Sequence, residues 1–167
     1  HIYPASYGMN SRRGNRPYGE VQTAANTSGN GTLYGTPITT KSVVNSVAGA
    51  YVEGKITLST NVLEPADEYK GDIARSYFGT MVKWAGEWAF NKNELGNIIF
   101  DATIDADTHY APENNYGFTD YGLALMLNWH RQDPVSQKEV DRNNGIQKTQ
   151  GNRNPFIDYP YLGREIG

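Results

Sequence analysis

Residues 129–158 read WHRQDPVSQKEVDRNNGIQKTQGNRNPFID, and this stretch decides how the second half of the chain folds. It opens on the end of an apolar helical pattern, which the Asp-Pro pair at 133–134 predicts to break, because the residue before a proline disfavours helix. Ser136 and Glu139 have the S-x-x-E spacing of a capping box, so a new helix is predicted to open there and to run to about Lys148.

Two further helices are predicted upstream of this stretch. Residues 72–90 place apolar side chains at spacings of three and four, which indicates an amphipathic helix with Asp72 as its N-cap. Residues 121–131 repeat the pattern, and Thr119 or Asp120 would cap that helix.

The remaining segments predict shorter elements. Residues 1–20 favour turns or a short helix, and residues 42–64 favour two or three short strands, because β-branched residues alternate with small ones. The Asn-, Thr-, Ser- and Gly-rich residues 21–40 predict a surface loop, as do residues 91–117. The tail from residue 150 predicts a tight loop and a short terminal helix. Together these elements predict a single α+β domain with a helix-rich second half.

Composition excludes several classes of protein. The chain has 167 residues and a net charge of −3, which argues against an extended phosphate-binding coat protein but leaves room for a local basic patch. The absence of cysteine excludes disulfides, thiolate zinc sites and cysteine nucleophiles. No apolar run approaches the roughly 20 residues of a membrane-spanning helix.

The segment 10–20, NSRRGNRPYGE, combines side chains that suit a phosphate site. Asn10 offers a neutral oxygen, and Mg²⁺ prefers oxygen ligands while keeping several waters. Arg12 and Arg13 carry guanidinium groups, which bind phosphate oxygens in pairs. A polar loop with solvated arginines is the alternative, and the residues alone leave both interpretations open.

Two other polar clusters are open to two interpretations each. Residues 129–144 hold a histidine among acids and arginines, which suits either a metal or general-base site or a set of ion pairs that cap two consecutive helices. Its members are His130, Arg131, Asp133, Glu139, Asp141 and Arg142. In residues 150–160, Arg153 lies either along a phosphate track or in a rigid turn that fixes the core.

Three segments, taken in chain order, resemble the bacterial endonuclease I family, and in particular its secreted endonucleases and extracellular ribonucleases. Residues 1–20 resemble the pattern H-L-x-P-x-x-x-x-x-N-x-x-R-x-N-x-x-[YF]-G-E, and residues 63–81 resemble E-P-x-x-E-x-K-G-D-x-A-R. Residues 129–158 resemble W-H-x-x-D-P-V-x-x-x-E-x-x-R-N-x-x-I-x-x-x-Q-G-N-R-N-P-F-[IV]-D, which is a long and specific pattern.

The resemblance implies a ββα-metal (His-Me finger) fold and a Mg²⁺-dependent nuclease that cuts DNA, and often RNA, with little sequence preference. It implies that Asn10 is a metal ligand, and Arg12, Arg13 and Arg153 are the expected contacts to nucleic-acid phosphates. It also implies secretion or a periplasmic location. We expect no membrane association and no obligate protein partner.

The chain departs from the family at its catalytic element. The family's general-base histidine follows a glutamate that is also a metal ligand, and this chain contains no Glu-His pair. His1 matches a later, non-catalytic histidine. We therefore expect that the single domain, residues 1–167, lacks its N-terminal part and is inactive alone. The alternative is a non-catalytic module, derived from such a nuclease, that binds nucleic acid or a cation.

Overall fold

A computed structural model of the chain describes residues 7–14, 16–44, 51–55, 61–83, 118 and 120–164. Helices and strands mix in the first half, and helices dominate the second. In chain order the elements are α1 (Tyr7–Arg13), β1 (Val21–Thr27), β2 (Leu33–Pro37), β3 (Thr40–Val44), β4 (Tyr51–Lys55), β5 (Val62–Glu64), α2 (Asp67–Lys83), α3 (Asp120–Gln132), α4 (Gln137–Gln150), α5 (Pro155–Asp158) and a final 3-10 helix (Pro160–Arg164). This content is consistent with the predicted α+β class.

The strands form two small antiparallel groups. One sheet has the order β1-β2-β5, and β3 pairs with β4. The register between β1 and β2 shifts twice, between Val21 and Thr23 and again between Ala24 and Asn26. The three strands β3, β4 and β5 confirm the prediction for residues 42–64.

The predicted surface loop at residues 21–40 was wrong, because β1 and β2 form a hairpin there. The tight connection is closed by the Ser28 amide, which donates to the Thr32 carbonyl at 2.9 Å, and by Gly31, whose φ of 87° is the left-handed region that glycine tolerates. Most of β1 is exposed. A polar composition on a solvent-facing strand therefore mimics the composition of a loop.

Helix α2 begins five residues earlier than predicted. Its first residue is Asp67, and Asp72 is a buried residue of the helix interior, so the prediction of Asp72 as N-cap was wrong. The preceding Pro65 limits how far the helix could extend toward the N-terminus. The predicted continuation through residues 84–90 and the loop at 91–117 lie outside the described residues.

Helix α3 confirms its predicted position and forms the centre of the molecule. It contacts α2, β3, β4 and the 3-10 helix. Nearly every residue between Tyr121 and His130 is buried, including Trp129. Phe78 of α2 packs edge-on against Phe118, at a centroid distance of 5.9 Å, and in a tilted arrangement against Phe156 of α5, at 5.3 Å. Burial of apolar surface around α3 is therefore the main stabilising contribution.

Helix α4 confirms the capping box. The Ser136 side chain accepts from the Glu139 amide, and the Glu139 carboxylate accepts from the Ser136 amide. The helix ends at Gly151, whose φ is 75°. The predicted terminal helix is the 3-10 helix Pro160–Arg164. None of the described helices has the length and apolar character needed to cross a membrane.

Candidate functional site

Helix α1 is a short helix held by one buried residue. Met9 is buried against Tyr34 of β2 and Leu63 of β5, whereas Asn10 is exposed. The helix ends where the Gly14 amide donates to the Asn10 carbonyl at 3.1 Å, and Gly14 adopts a φ of 51°. The sheet therefore fixes a helix whose outer side presents the predicted metal ligand to solvent.

Three arginines interlock around the end of this helix. Arg12 Nε donates to the side-chain oxygen of Asn26 on β1 at 3.0 Å. Arg13 Nε donates to the Arg16 carbonyl at 3.2 Å, and Arg16 Nη1 donates to the Arg12 carbonyl at 3.1 Å. The Arg16 bond satisfies a carbonyl left open at the helix C-terminus, and the three bonds fix the side chains on β1 or on the backbone around the end of α1. We call Arg12, Arg13 and Arg16 the arginine cluster.

Two tyrosines support the arginine cluster. The Arg13 guanidinium carbon lies 4.3 Å from the ring centroid of Tyr18, and that of Arg16 lies 5.7 Å from the ring centroid of Tyr34. Both distances are within the range of cation–π attraction. Tyr18 in turn packs edge-on against Trp129 in the core, with centroids 6.3 Å apart. The cluster is thereby coupled to the rigid interior.

The arginine cluster keeps its positive charge available. Within the part of the chain that the structure describes, no carboxylate forms an ion pair with any of the three arginines. Sequence reasoning selected Arg12 and Arg13 and missed Arg16. Gly14 was the residue that could have indicated Arg16. A glycine in the left-handed conformation often ends a helix and reverses the chain, so the residues that follow it can reach the last carbonyls of the helix.

Asn10 fits one position of a magnesium site. Its amide is a hard, neutral oxygen ligand on an exposed helix surface, and magnesium retains several of its waters. Among the described residues, no group of three His, Cys, Asp or Glu side chains lies close enough to hold a metal ion. The expectation that Asn10 is a metal ligand therefore stays a prediction.

Arg153 is held away from the arginine cluster by partners of its own. Its guanidinium donates to both carboxylate oxygens of Asp158, at 2.6 and 2.7 Å, and to the side chains of Asn144 and Gln147, each at 2.8 Å. Arg153 correspondingly lowers the pKa of Asp158 through a charge-assisted hydrogen bond. These partners lie in α4 and α5, so the structure does not bring Arg153 together with Arg12 and Arg13 by direct contact.

Glu139, Asp133 and Arg142 of the second polar cluster take part in a largely buried ionic network around Arg75 of α2, whereas Arg131 and Asp141 are exposed. Arg75 of α2 donates two 2.6 Å hydrogen bonds to Glu139 of α4, and it lies 3.6 Å from Asp72. Asp72 also lies 3.8 Å from Arg142. The Asp133 carboxylate accepts from the backbone amide of Gly71 at 2.9 Å. The network joins α2, α3 and α4, which supports the ion-pairing interpretation of residues 129–144.

His130 is part of the same network and is neutral. Its Nε2 lies 2.8 Å from the Pro160 carbonyl, which can only accept, so Nε2 carries the proton. Nδ1 then accepts from Arg75 Nη1 at 3.3 Å. Burial is the main cause that lowers the pKa of His130. With both ring nitrogens engaged, His130 is neither a general base nor a metal ligand.

The comparison with protein families agrees with this arrangement of motifs. Residues 1–161 match the model of the family described as Endonuclease I. The chain belongs to the endonuclease I family. This result confirms the family expected from the three resembling segments.

Two curated relatives match this endonuclease I chain over 99% of its length. An extracellular ribonuclease of Bacillus subtilis (strain 168) is 31% identical over 167 residues, and one of Bacillus amyloliquefaciens is 32% identical over 167 residues. The chain covers 45% of each of them, so it spans about half the length of the curated relatives it matches. No solved structure gives a significant match.

The three family patterns contribute to two different structural features of this endonuclease I chain. The first pattern supplies the exposed Asn10 and part of the arginine cluster. The second and third supply Arg75 and its partners Asp72, His130 and Glu139, which are buried. The longest pattern therefore supplies part of the buried network, and the first pattern lies around the exposed end of α1.

Proposed function

We propose that this chain is part of a secreted, Mg²⁺-dependent nuclease that hydrolyses phosphodiester bonds of DNA and RNA with little sequence preference. The observation that carries the proposal is the exposed Asn10 amide on a short helix whose C-terminal end is surrounded by an arginine cluster without ion-paired carboxylates among the described residues. Membership in the endonuclease I family and the two extracellular ribonuclease relatives support the choice of reaction and of location.

The arginine cluster accounts for phosphate binding in this proposal. Guanidinium groups form paired hydrogen bonds with phosphate oxygens, and Arg12, Arg13 and Arg16 supply three of them from one helix end. Contacts to the backbone carry no sequence information, which fits low sequence preference. Because hydrogen bonds to the helix carbonyls and the two tyrosines already orient the guanidinium groups, little freedom is lost when a phosphate binds.

Asn10 would hold the magnesium ion through its amide oxygen, and the rest of the shell would come from water, substrate phosphate and a glutamate outside these 167 residues. A bound Mg²⁺ supplies Lewis-acid stabilisation of the negative charge that develops on phosphate. Asn10 and Arg13 are three positions apart on α1 and therefore occupy neighbouring positions on one face of the helix. This spacing suits a phosphate that contacts both the metal and a guanidinium.

The general base is proposed to be a histidine outside these 167 residues, within a His-Me finger centre. His130 is unsuitable, because both of its ring nitrogens are engaged in the core. His1 and His109 lie outside the described residues, and the sequence contains no Glu-His pair. We therefore expect the 167-residue chain to bind nucleic acid without cutting it appreciably.

A second candidate function is a non-catalytic module that binds nucleic acid or a cation. The observation in its favour is that no three His, Cys, Asp or Glu side chains among the described residues lie close enough to hold a metal ion, and both ring nitrogens of His130 are engaged. The coding sequence upstream of His1 discriminates between the two functions. A Glu-His element there supports the nuclease, and an unrelated segment supports the binding module.

The decisive experiment compares the 167-residue chain with the protein encoded by the complete gene, on plasmid DNA and on RNA, with Mg²⁺ or with a chelator. We expect cleavage by the complete protein in Mg²⁺ and none with the chelator. Asn10→Ala should lower its rate by roughly 100-fold or more, since it removes a group that stabilises the transition state. The exposed amide Gln132 provides the control, and Gln132→Ala should cleave normally.

An unchanged rate in Asn10→Ala would disprove the assigned metal ligand. Efficient cleavage by a clean preparation of the 167-residue chain, lost on Asn10→Ala, would show that the general base lies within this sequence. Inactivity of the complete protein on both substrates would favour the binding module.

A further inference from the structure

The aromatic ring of Tyr7, at the start of α1, is open to solvent. It is 91% exposed, the highest value among the large hydrophobic side chains at the described surface. No other ring and no cation contacts it within the described part of the chain, whereas Tyr18 and Tyr34 each lie close to an arginine of the cluster. Exposed tyrosines are common, so the position of this ring decides what it can bind.

Tyr7 projects from the outermost side of α1, next to Asn10. With 3.6 residues per turn, it lies about 160° around the helix axis from Met9, which is buried against the sheet. Asn10 lies about 60° to one side of Tyr7, and Gly8 lies about 100° to the other. Side chains three positions apart on a helix are neighbours, so the ring stands beside the amide of the proposed metal ligand.

The guanidinium of Arg12 reaches the other side of Tyr7. Arg12 Nη1 donates to the Gly8 carbonyl at 3.3 Å, which brings the charge back to the first turn of α1. Gly8 has no side chain to cover it, and a Cβ there would lie 3.4 Å from Nη1. The bonds to Gly8 and Asn26 use two of the five guanidinium N–H groups, and both partners are neutral. Arg12 therefore keeps donors and charge for a phosphate.

This order of groups matches one nucleotide of a single strand. Every base has two flat faces that stack on aromatic side chains, and guanidinium groups bind phosphate oxygens. In a duplex both faces of a base are covered by its neighbours, and a protein ring reaches them only after the base is unstacked. An exposed ring between a guanidinium and a metal ligand therefore favours an unpaired base.

We propose that α1 binds an unpaired nucleotide, with its base stacked on Tyr7, one flanking phosphate on Arg12 and the other beside Asn10. The position of the second phosphate rests on the proposed function, in which Asn10 holds magnesium. The preferred substrate class is then single-stranded nucleic acid. Duplex DNA is held at this site by the arginine charges alone and binds more weakly.

The test is binding of the 167-residue chain, in a chelator, to a short single-stranded oligothymidine and to its abasic counterpart with the same number of phosphates. Tyr7→Ala should weaken oligothymidine binding about tenfold and leave abasic binding unchanged, because only the stacked base is lost. Tyr7→Phe keeps the ring and should bind both probes as the natural chain does. Tyr161→Ala, at an exposed tyrosine of the 3-10 helix, is the matched control and should change neither. Fluorescence anisotropy measures each affinity.

Arg12→Gln removes the charge and should weaken binding of both probes to a similar degree. Three results would overturn the inference: no loss in Tyr7→Ala, an equal loss on both probes, or an equal loss in Tyr161→Ala. Asn10-dependent cleavage by the complete protein, with oligothymidine binding unchanged in Tyr7→Ala, would refute only the stacking site. A loss confined to oligothymidine in Tyr7→Ala, with no cleavage by the complete protein, would refute only the proposed function.

Discussion

Arg75 and Glu139 face each other across the interface of α2 and α4 with two hydrogen bonds of 2.6 Å each, and their side chains are 0% and 2% exposed. A buried ion pair of this kind contributes less to stability than its short distances suggest, because both charges lose their hydration. Removal of only one partner is strongly destabilising, since the other charge then remains buried and uncompensated.

Arg75→Met should therefore lower the free energy of unfolding by about 3–5 kcal/mol. Urea denaturation followed by circular dichroism measures the loss. Arg153→Met is the matched control, because Arg153 also makes a two-bond pair, with Asp158, but at the surface, where solvent screens the charges. Equal losses in the two variants would contradict the buried network as a stabilising unit.

Asp72 should give the protein an unusual pH dependence. Burial and the nearby Glu139 carboxylate raise the pKa of Asp72 from 3.8 to about 7. The folded protein then holds this proton more tightly than the unfolded chain, so the stabilising contribution of Asp72 is full below about pH 4 and is lost as pH rises through about 7.

Asp72→Asn removes that contribution and leaves the other groups in place. The unfolding free energy of the natural chain minus that of Asp72→Asn should consequently fall as pH rises from about 4 to 7. Urea titrations at several pH values give this difference directly, and the opposing effect of the lowered pKa of His130 cancels in the subtraction. Parallel curves for the two proteins would show that Asp72 titrates normally.

Two glycines should respond oppositely to alanine. A Cβ at Gly163 would lie 2.7 Å from the His130 ring, which is already fixed between Arg75 and Pro160, so Gly163→Ala should destabilise the protein. Gly145 lies inside α4 with nothing within 4 Å of an added Cβ, so Gly145→Ala should stabilise by up to about 1 kcal/mol. Thermal unfolding of the pair measures both signs, and a stabilised Gly163→Ala would refute the close packing of His130.

The arginine cluster should appear in the salt dependence of DNA binding. Each phosphate contact contributes about 0.9 to the slope of log affinity against log salt concentration. Arg13→Ala and Arg16→Ala, measured with a short duplex in chelator, should each reduce that slope by about 0.9. Arg131, exposed at the end of α3, provides the control, and Arg131→Ala should leave the slope unchanged. An effect in Arg131→Ala alone would place the binding surface elsewhere.

Sequence reasoning located the helices of the second half because their start and stop signals are residues close together in the chain. The spacing of Ser136 and Glu139 alone predicts a helix start, and the Asp-Pro pair at 133–134 predicts a helix end. It failed at β1, where an exposed strand and a loop share the same polar composition. It also failed at Asp72, because a carboxylate that caps a helix and one that is buried beside an arginine look alike until the fold brings Arg75 and Arg142 to it.

The sequence predicted the candidate site only in part, because local patterns reveal residues that are adjacent in the chain and not residues that the fold brings together. Asn10, Arg12 and Arg13 are adjacent in the chain, so a short polar segment revealed them together. Arg16 joins them through the backbone reversal at Gly14, which is a matter of geometry and not of residue type.

The two register shifts in β1 have a consequence for self-association. In the described sheet β1 occupies an edge, where unpaired backbone groups can recruit a strand from a second molecule. The shifts on either side of Thr23 and Ala24 interrupt the regular spacing of those groups, so an incoming strand finds no continuous ladder to extend. This edge of the described sheet is thereby protected against the addition of strands from further molecules.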